Sequence, residues 1–234
     1  MLRKETIMLG TVTISQVESY SMQVLRGKIS CNLPPCSRCN TLPSHFKRHE
    51  ARNRTFYVLF DQFVHTVLCL ITRWKCNGCG KIFTLYPPFA LPYKRYTLQT
   101  IMELTKRYVD DDSLSYRTGV LEQGLPMGYA TKKEQEDDID ERQLAHSTLH
   151  RWITALGGFK KILCCAQDLI LQENPATTLC RDLTAFIVTS KKYRTAARKW
   201  LLKHCRQIVH VEAEFRTTFH TSIFPYLATC CAWT

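Results

Sequence analysis

Four cysteines stand in two matched pairs, Cys36-Ser37-Arg38-Cys39 and Cys76-Asn77-Gly78-Cys79. Two residues between thiols let one tight turn present both sulfurs to one ion, and two such turns complete a four-coordinate shell. The doubled C-x2-C spacing therefore points to a tetrahedral Zn2+ site at Cys36, Cys39, Cys76 and Cys79. The same residues also read as two redox pairs or merely buried pairs. Cys31, His45 and His49 are competing ligands. A finger made of Cys36, Cys39, His45 and His49, however, has five residues between Cys39 and His45, where such a module uses about 12. The other cysteines, from Cys69 to Cys231, have no matched spacing, and small buried hydrophobes are their default role. The chain has 12 cysteines and no apolar run of signal-peptide length near Met1, so a disulfide framework is not expected.

A second candidate for chemistry lies at 147–156. Leu149, Trp152, Ile153 and Leu156 fall at i, i+3, i+4 and i+7, which makes one helix side core and leaves Thr148, His150, Arg151 and Thr154 on the other. A helix that reads DNA needs that polarity, with its first turn at base edges and an arginine for bidentate contact with guanine. An amphipathic core helix whose polar side meets water has the same pattern. Ser147 is the expected N-cap and Gly157-Gly158 the expected stop.

Charge favours the first of these readings. Lys and Arg number 32 against 20 Asp and Glu, a net of +12, and such a surplus points to a polyanionic partner, nucleic acid first. The balance is +11 over 1–109, −6 over 110–145 and +7 over 146–234. The acidic stretch is either a solvated linker or a fence that limits which faces approach DNA. Hydrophobic residues at 45% exclude disorder of the whole chain. The longest apolar candidate, 56–74, is interrupted by Asp61, Gln62, His65 and Arg73, so no membrane partner is expected.

The elements that must position these residues follow from periodicity. Segments 55–60, 64–74 and 81–85 read as strands, with Gly80 supplying a left-handed turn and Pro87-Pro88 a stop. They build an antiparallel zinc ribbon in which Arg38, Lys47, Arg48, Arg52 and Arg54 are candidate phosphate contacts. Segment 12–25 is a candidate strand pair. Past Pro92 the period lengthens: Thr97 caps a helix with Leu98, Ile101 and Tyr108 inward, ending near 110–112, and a short helix follows over 113–121. Helices over 159–172, 179–189 and 193–208 complete the chain. The last has Trp200, Leu201, Leu202 and Cys205 inward. Its basic side, with Lys191, Lys192 and Arg198, is either a solvated surface or a further phosphate-contacting surface. The apolar tail 219–234 needs cover, from the chain's own core or from a second subunit. The expected class is α+β: a zinc-ribbon β domain over 1–92, a helix-turn-helix over 93–158 with an acidic loop at 110–145, and a helical region over 159–234.

The order of Cys-x2-Cys, a long β insertion, Arg73-Trp74-Lys75-Cys76-x2-Cys79-Gly80-x2-Phe83, Leu-Pro-Tyr-Lys-Arg-Tyr at 91–96 and Ser147-Thr148-Leu149-His150-Arg151-Trp152 resembles the N-terminal DNA-binding region of bacterial insertion-sequence transposases. It is closer still to a stand-alone transposase-like domain family of unassigned function. The resemblance covers about 31–160. It implies a zinc ribbon, a helix 147–156 entering double-stranded DNA, a mobile-element setting, and a bacterial cytoplasmic protein associated with the nucleoid when bound. The acidic stretch before the recognition helix departs from the compact helix-turn-helix of that region.

Catalysis is not expected. A cut-and-paste transposase needs three carboxylates for two metal ions, but 158–234 is short for a catalytic domain and contains only Asp168, Glu173, Asp182, Glu212 and Glu214. Asp168 and Asp182 read as surface residues. The resulting expectation is a sequence-specific DNA-binding protein, with a homo-oligomer contact or a transposition partner at its C-terminal region. The alternative is a zinc-ribbon adaptor for protein partners.

Overall fold

The computed structural model describes residues 14–60, 63–120 and 144–224, and its architecture is α+β. A long hairpin dominates the first half. Strands β1 (Phe46–Phe60) and β2 (Phe63–Cys76) pair antiparallel from Phe46↔Cys76 to Phe60↔Phe63, with a bulge at His49, and β3 (Ile82–Leu85) adds to Thr72–Lys75 of β2. Val67, Cys69 and Ile71 alternate inward on β2 and meet Phe56, Val58 and Ala90.

That small core is closed by a helix, α1 (Ile14–Leu25), whose Val17 and Val24 are fully buried. The strand pair expected over 12–25 is therefore wrong. Val17 and Val24 are two helical turns apart, a spacing that a β period does not use, and Gly27 at φ 68 ends the segment. The helix also satisfies β2 where β3 does not reach: the Leu70 amide donates to Ser21 Oγ at 3.1 Å. The expected start of the first strand at 55 is corrected to Phe46. Residues 47–53 are exposed and, apart from Ala51, polar, and pairing with β2 makes them a strand despite the missing apolar alternation.

The second half is helical: α2 (Leu98–Asp110), α3 (Tyr116–Gly119), α4 (His146–Gly157), α5 (Lys160–Glu173), α6 (Leu179–Thr184) and α7 (Ala196–Phe219). Thr97 caps α2 by accepting from the Thr100 amide, as its sequence position predicts. The last helix is longer than expected, 24 residues, because Thr195 caps it and His220 at φ 53 ends it. The helix expected over 179–189 stops at Thr184, followed by a 3-10 turn at Ser190–Lys192. Trp200 does not turn inward: it is 43% exposed and lies against His204, whereas Leu202 and Cys205 are buried. The cap of α4 is Ala145, without a side-chain bond, so Ser147 lies inside the first turn.

One core joins the helices on both sides of residue 158: Leu98, Ile101, Trp152, Ile153, Ile170, Leu202 and Phe215 belong to a single cluster that also takes Val64 of β2. Gly157 makes this close packing possible. A Cβ there would overlap the Leu201 carbonyl of α7, while Gly158 has an ordinary right-handed conformation. Among the expected tail residues, Ile223 and Phe224 are covered by the chain's own core; 225–234 lie outside the described residues.

Two carboxylates fasten α7. Asp110 at the end of α2 accepts from Arg206 Nε and His210 Nε2, both at 2.9 Å, and from Lys106 at 2.7 Å. Glu212, 3% exposed, pairs with Arg216 and accepts the Ile223 amide at 2.8 Å, which folds the chain back after α7. Burial opposes ionisation of Asp110, but the His210 and Lys106 bonds outweigh it and hold its carboxyl below the usual range. A depressed folded pKa contributes stability that is complete above the unfolded value of about 3.9 and is lost as pH falls through the folded one. Asp110→Asn is expected to cost about 1–2 kcal/mol in urea melts at pH 7, with the gap narrowing below about pH 4. Gly157→Ala is expected to cost about 1–3 kcal/mol in the same assay, independent of pH.

Candidate metal centre and the exposed side of α4

The two cysteine pairs sit on turns built alike. The Cys36 amide donates to the Thr41 carbonyl and the Asn40 amide to the Cys36 carbonyl; the Cys76 amide donates to the Lys81 carbonyl and the Gly80 amide to the Cys76 carbonyl. The residue after each second cysteine is left-handed, Asn40 at φ 57 and Gly80 at φ 73. Gly80 is thus where sequence reasoning puts a positive φ. Asn40 is its counterpart in the other turn, a residue type enriched in that conformation.

These turns bring the four sulfurs of Cys36, Cys39, Cys76 and Cys79 within 4.8 Å of one another. Cys36 and Cys79 are 3.5 Å apart, as are Cys39 and Cys76. A tetrahedral ion with metal–sulfur bonds of about 2.3 Å spaces its sulfurs by about 3.8 Å, so a small inward or outward adjustment suffices for the set to hold a metal ion. Among the described residues this is the one group of three or more such side chains positioned to do so. His45 and His49 are exposed and outside the group, and Cys31 packs beside it without joining.

Neighbouring groups favour the thiolate at Cys39 and Cys76. The Thr41 hydroxyl, 3.1 Å from Cys39 Sγ, and the Thr41 amide bring Cys39 down to about 6. Burial opposes ionisation of Cys76, yet the amides of Cys79 and Gly78 carry it below its ordinary value. At Cys79 the Lys81 amide lowers the pKa, but burial and the adjacent sulfurs outweigh it and push the thiol up to about 11. Four thiols this close cannot all ionise unless a cation compensates them. Lys81 Nζ reaches Ser37 Oγ at 2.9 Å and ties the two turns, and Phe46 stacks on Phe83 below them with centroids 5.4 Å apart.

The α4 residues are arranged as the periodicity predicts. Leu149, Trp152, Ile153 and Leu156 are buried; His150, Arg151 and Thr154 are exposed and Thr148 is half-buried. Thr154 Oγ1 donates to the His150 carbonyl and accepts from Arg198 at 2.9 Å, while His150 lies edge-on to Tyr116 at 5.4 Å. Partial desolvation, then the Arg198 and Arg151 charges, hold His150 below the usual histidine range. Trp152 meets Tyr96, which meets Tyr57 of β1, at centroid separations of 5.0 and 5.1 Å, so an aromatic row joins α4 to the hairpin. The element immediately before α4 in the description is the single turn α3; residues 121–143, with most of the acidic loop, lie outside the described residues.

The basic candidates divide in two. Arg38, Lys47, Arg52 and Lys191 are exposed. Arg48 donates to the Val24 carbonyl at 2.9 Å, and Arg54 donates to the Lys94 carbonyl and lies over Tyr86. Lys192 donates to the Tyr108 and Asp111 carbonyls, and Arg198 to Thr154 and Tyr116. Thr41, Asn40 and Gly78 around the sulfurs carried no spacing signal that sequence reasoning used. Of the C-terminal carboxylates, Asp168 and Asp182 are exposed, as expected for surface residues.

Residues 35–123 match the family model described as a domain of unknown function (DUF6431). The match takes in both cysteine turns, the hairpin, α2 and α3, and stops before α4. No curated protein and no solved structure matches the chain. No helix among the described residues is long and apolar enough to cross a membrane.

A Cβ at Gly78 would overlap the Thr41 hydroxyl and crowd Cys39 Sγ. Gly78→Ala is expected to weaken metal binding about 10- to 100-fold in competition with a chromophoric chelator, with the exposed neighbour Asn77→Ala unchanged. Equal affinities for both variants would contradict the assigned role of Thr41.

Proposed function

We propose that this chain is a zinc-dependent, sequence-specific DNA-binding protein of transposase-like type, which recognises mobile-element DNA or regulates its movement without a catalytic domain of its own. The observation that carries the reading is the division of α4 into a buried side and an exposed side bearing His150, Arg151 and Thr154 beside Thr148. Zinc suits four thiolates at tetrahedral spacing, and the ribbon end it clamps displays Arg38, Lys47 and Arg52 to phosphates. In this reading the protein works in the bacterial cytoplasm, associates with the nucleoid when bound, and meets a second copy or a transposition partner through its C-terminal region.

A protein-interaction adaptor is the second reading. It is favoured by Leu42, Leu68 and Tyr93, which stand 56%, 64% and 77% exposed on the half of the chain that contains the cysteine turns.

A mobility-shift assay at two salt concentrations separates the two. DNA binding through phosphates loses affinity steeply with salt, by close to one logarithmic unit of slope per contact. Selection from a random oligonucleotide pool should yield a preferred site, and Arg151→Ala should relax that preference by about 1–3 kcal/mol. A flat salt response would favour the adaptor.

A further inference from the structure

A cleft of about 930 Å³ opens where the turn after α2, the start of α4 and the segment leading into α7 meet. Its volume falls in the range of about 300–1,000 Å³ that small-molecule sites occupy. Four cations, Lys191, Lys192, Arg194 and Arg198, line it against the single carboxylate of Asp112.

Two of these cations are held in place and two are exposed. Lys192 is held by the Tyr108 and Asp111 carbonyls, with its ammonium 4.2 Å from the centre of the Tyr108 ring. Arg198 is held by Thr154 and Tyr116 and lies 5.5 Å from the Tyr116 ring centre. Tyr108 and Tyr116 are themselves stacked at 4.6 Å, so the inner wall is rigid. Lys191 and Arg194 stand exposed. Like charges brought together over a partly buried wall repel one another, and a bound dianion removes that cost. The rest of the lining is suited to an uncharged organic body: Leu114 and the Tyr193 ring offer apolar surface, and the Ser113 hydroxyl offers hydrogen bonding.

We propose that this cleft binds a nucleoside phosphate, with its phosphate monoester between Arg198 and the Lys191 and Arg194 side chains and its base against Leu114 and Tyr193. The ligand is either a free mononucleotide or the phosphorylated 5′ end of a DNA strand. The proposal does not rest on duplex reading by α4, although His150 lines the cleft and Arg198 donates to Thr154.

Isothermal titration of the metal-loaded full chain tests it, with AMP, adenosine, inorganic phosphate, and a tetradeoxyadenylate with and without a 5′-phosphate. AMP or the phosphorylated oligonucleotide should bind at least about tenfold more tightly than adenosine, inorganic phosphate and the unphosphorylated strand, and the tighter of the two identifies the source. The double variant Lys191→Glu/Arg194→Glu, at two exposed positions, should lose at least about tenfold in affinity with its unfolding temperature unchanged. Lys160→Glu, an exposed cation outside the cleft, should lose little. The proposal is overturned if neither phosphorylated probe binds at about 1 mM, if adenosine binds as well as AMP, or if both variants lose affinity equally. Loss of duplex binding with AMP binding retained would count against the function proposed above and not against this cleft.

Discussion

The pairing register of the β1–β2 hairpin is the constraint on which the other contacts rest. A slip of one residue would turn every side chain to the opposite face. At one end the register sets Phe46 opposite Cys76, so the second cysteine turn arrives beside the first. Near the other end it sets Tyr57 opposite Thr66 and leaves the outer edge of β1 free to pair with the chain that leads into α2. There the Tyr57 amide donates to the Arg95 carbonyl and the Tyr57 carbonyl accepts from the Thr97 amide. The hairpin is thus a strut between the cysteine turns and the helical core. The bulge at His49 is its only break in pairing, and it falls in the exposed polar stretch, where a shift of face exposes no core residue.

The helical core is organised around α7, which meets α2, α4, α5 and α6. Asp110 brings α2, Gly157 lets the end of α4 approach the backbone, and Arg198 reaches both Thr154 and Tyr116. With Trp152 packed against Tyr96 on its inner side, α4 is held from two directions while its outer residues stay accessible. Such fixation suits a recognition surface, since side chains on a rigid element need less ordering on binding.

What could be read from the sequence was local. The cysteine spacing, the left-handed Gly80, the Thr97 cap and the inward row on α4 each depend on residues within a few positions of one another, and all four are found where the sequence places them. The strand at 47–53 was not legible because its evidence lies across the hairpin, on β2. Residues 14–25 have short apolar runs that fit either period until Val17 and Val24, seven positions apart, are both found buried, with Val17 in the core on β2. Gly157-Gly158 does end α4 as its position predicts, but the close contact of Gly157 with Leu201, a partner 44 positions away, has no local signal. Trp200 was assigned inward by its type, but the buried row of α7 begins at Leu202.

The same long-range contacts change how the net charge should be understood. Not all of the +12 surplus faces outward: Arg48, Arg54 and Lys192 hold backbone carbonyls, and Arg206 and Arg216 pair with carboxylates. Exposed cations stand on both parts of the chain, with Arg38, Lys47 and Arg52 on or near β1 and Arg151, Lys191 and Arg194 around α4 and the cleft. Phe46 and Tyr57 are eleven residue steps apart along β1, a length of roughly 35 Å at about 3.3 Å per residue. A metal ion at the far end therefore cannot orient α4 through direct contact. Its influence passes along a hairpin that has its own core of Phe56, Val58 and Val67 near the junction. An ion held by the four cysteines would bear on where Arg38 and Lys47 stand, whereas the side chains on α4 take their positions from Tyr96, Leu201 and Arg198.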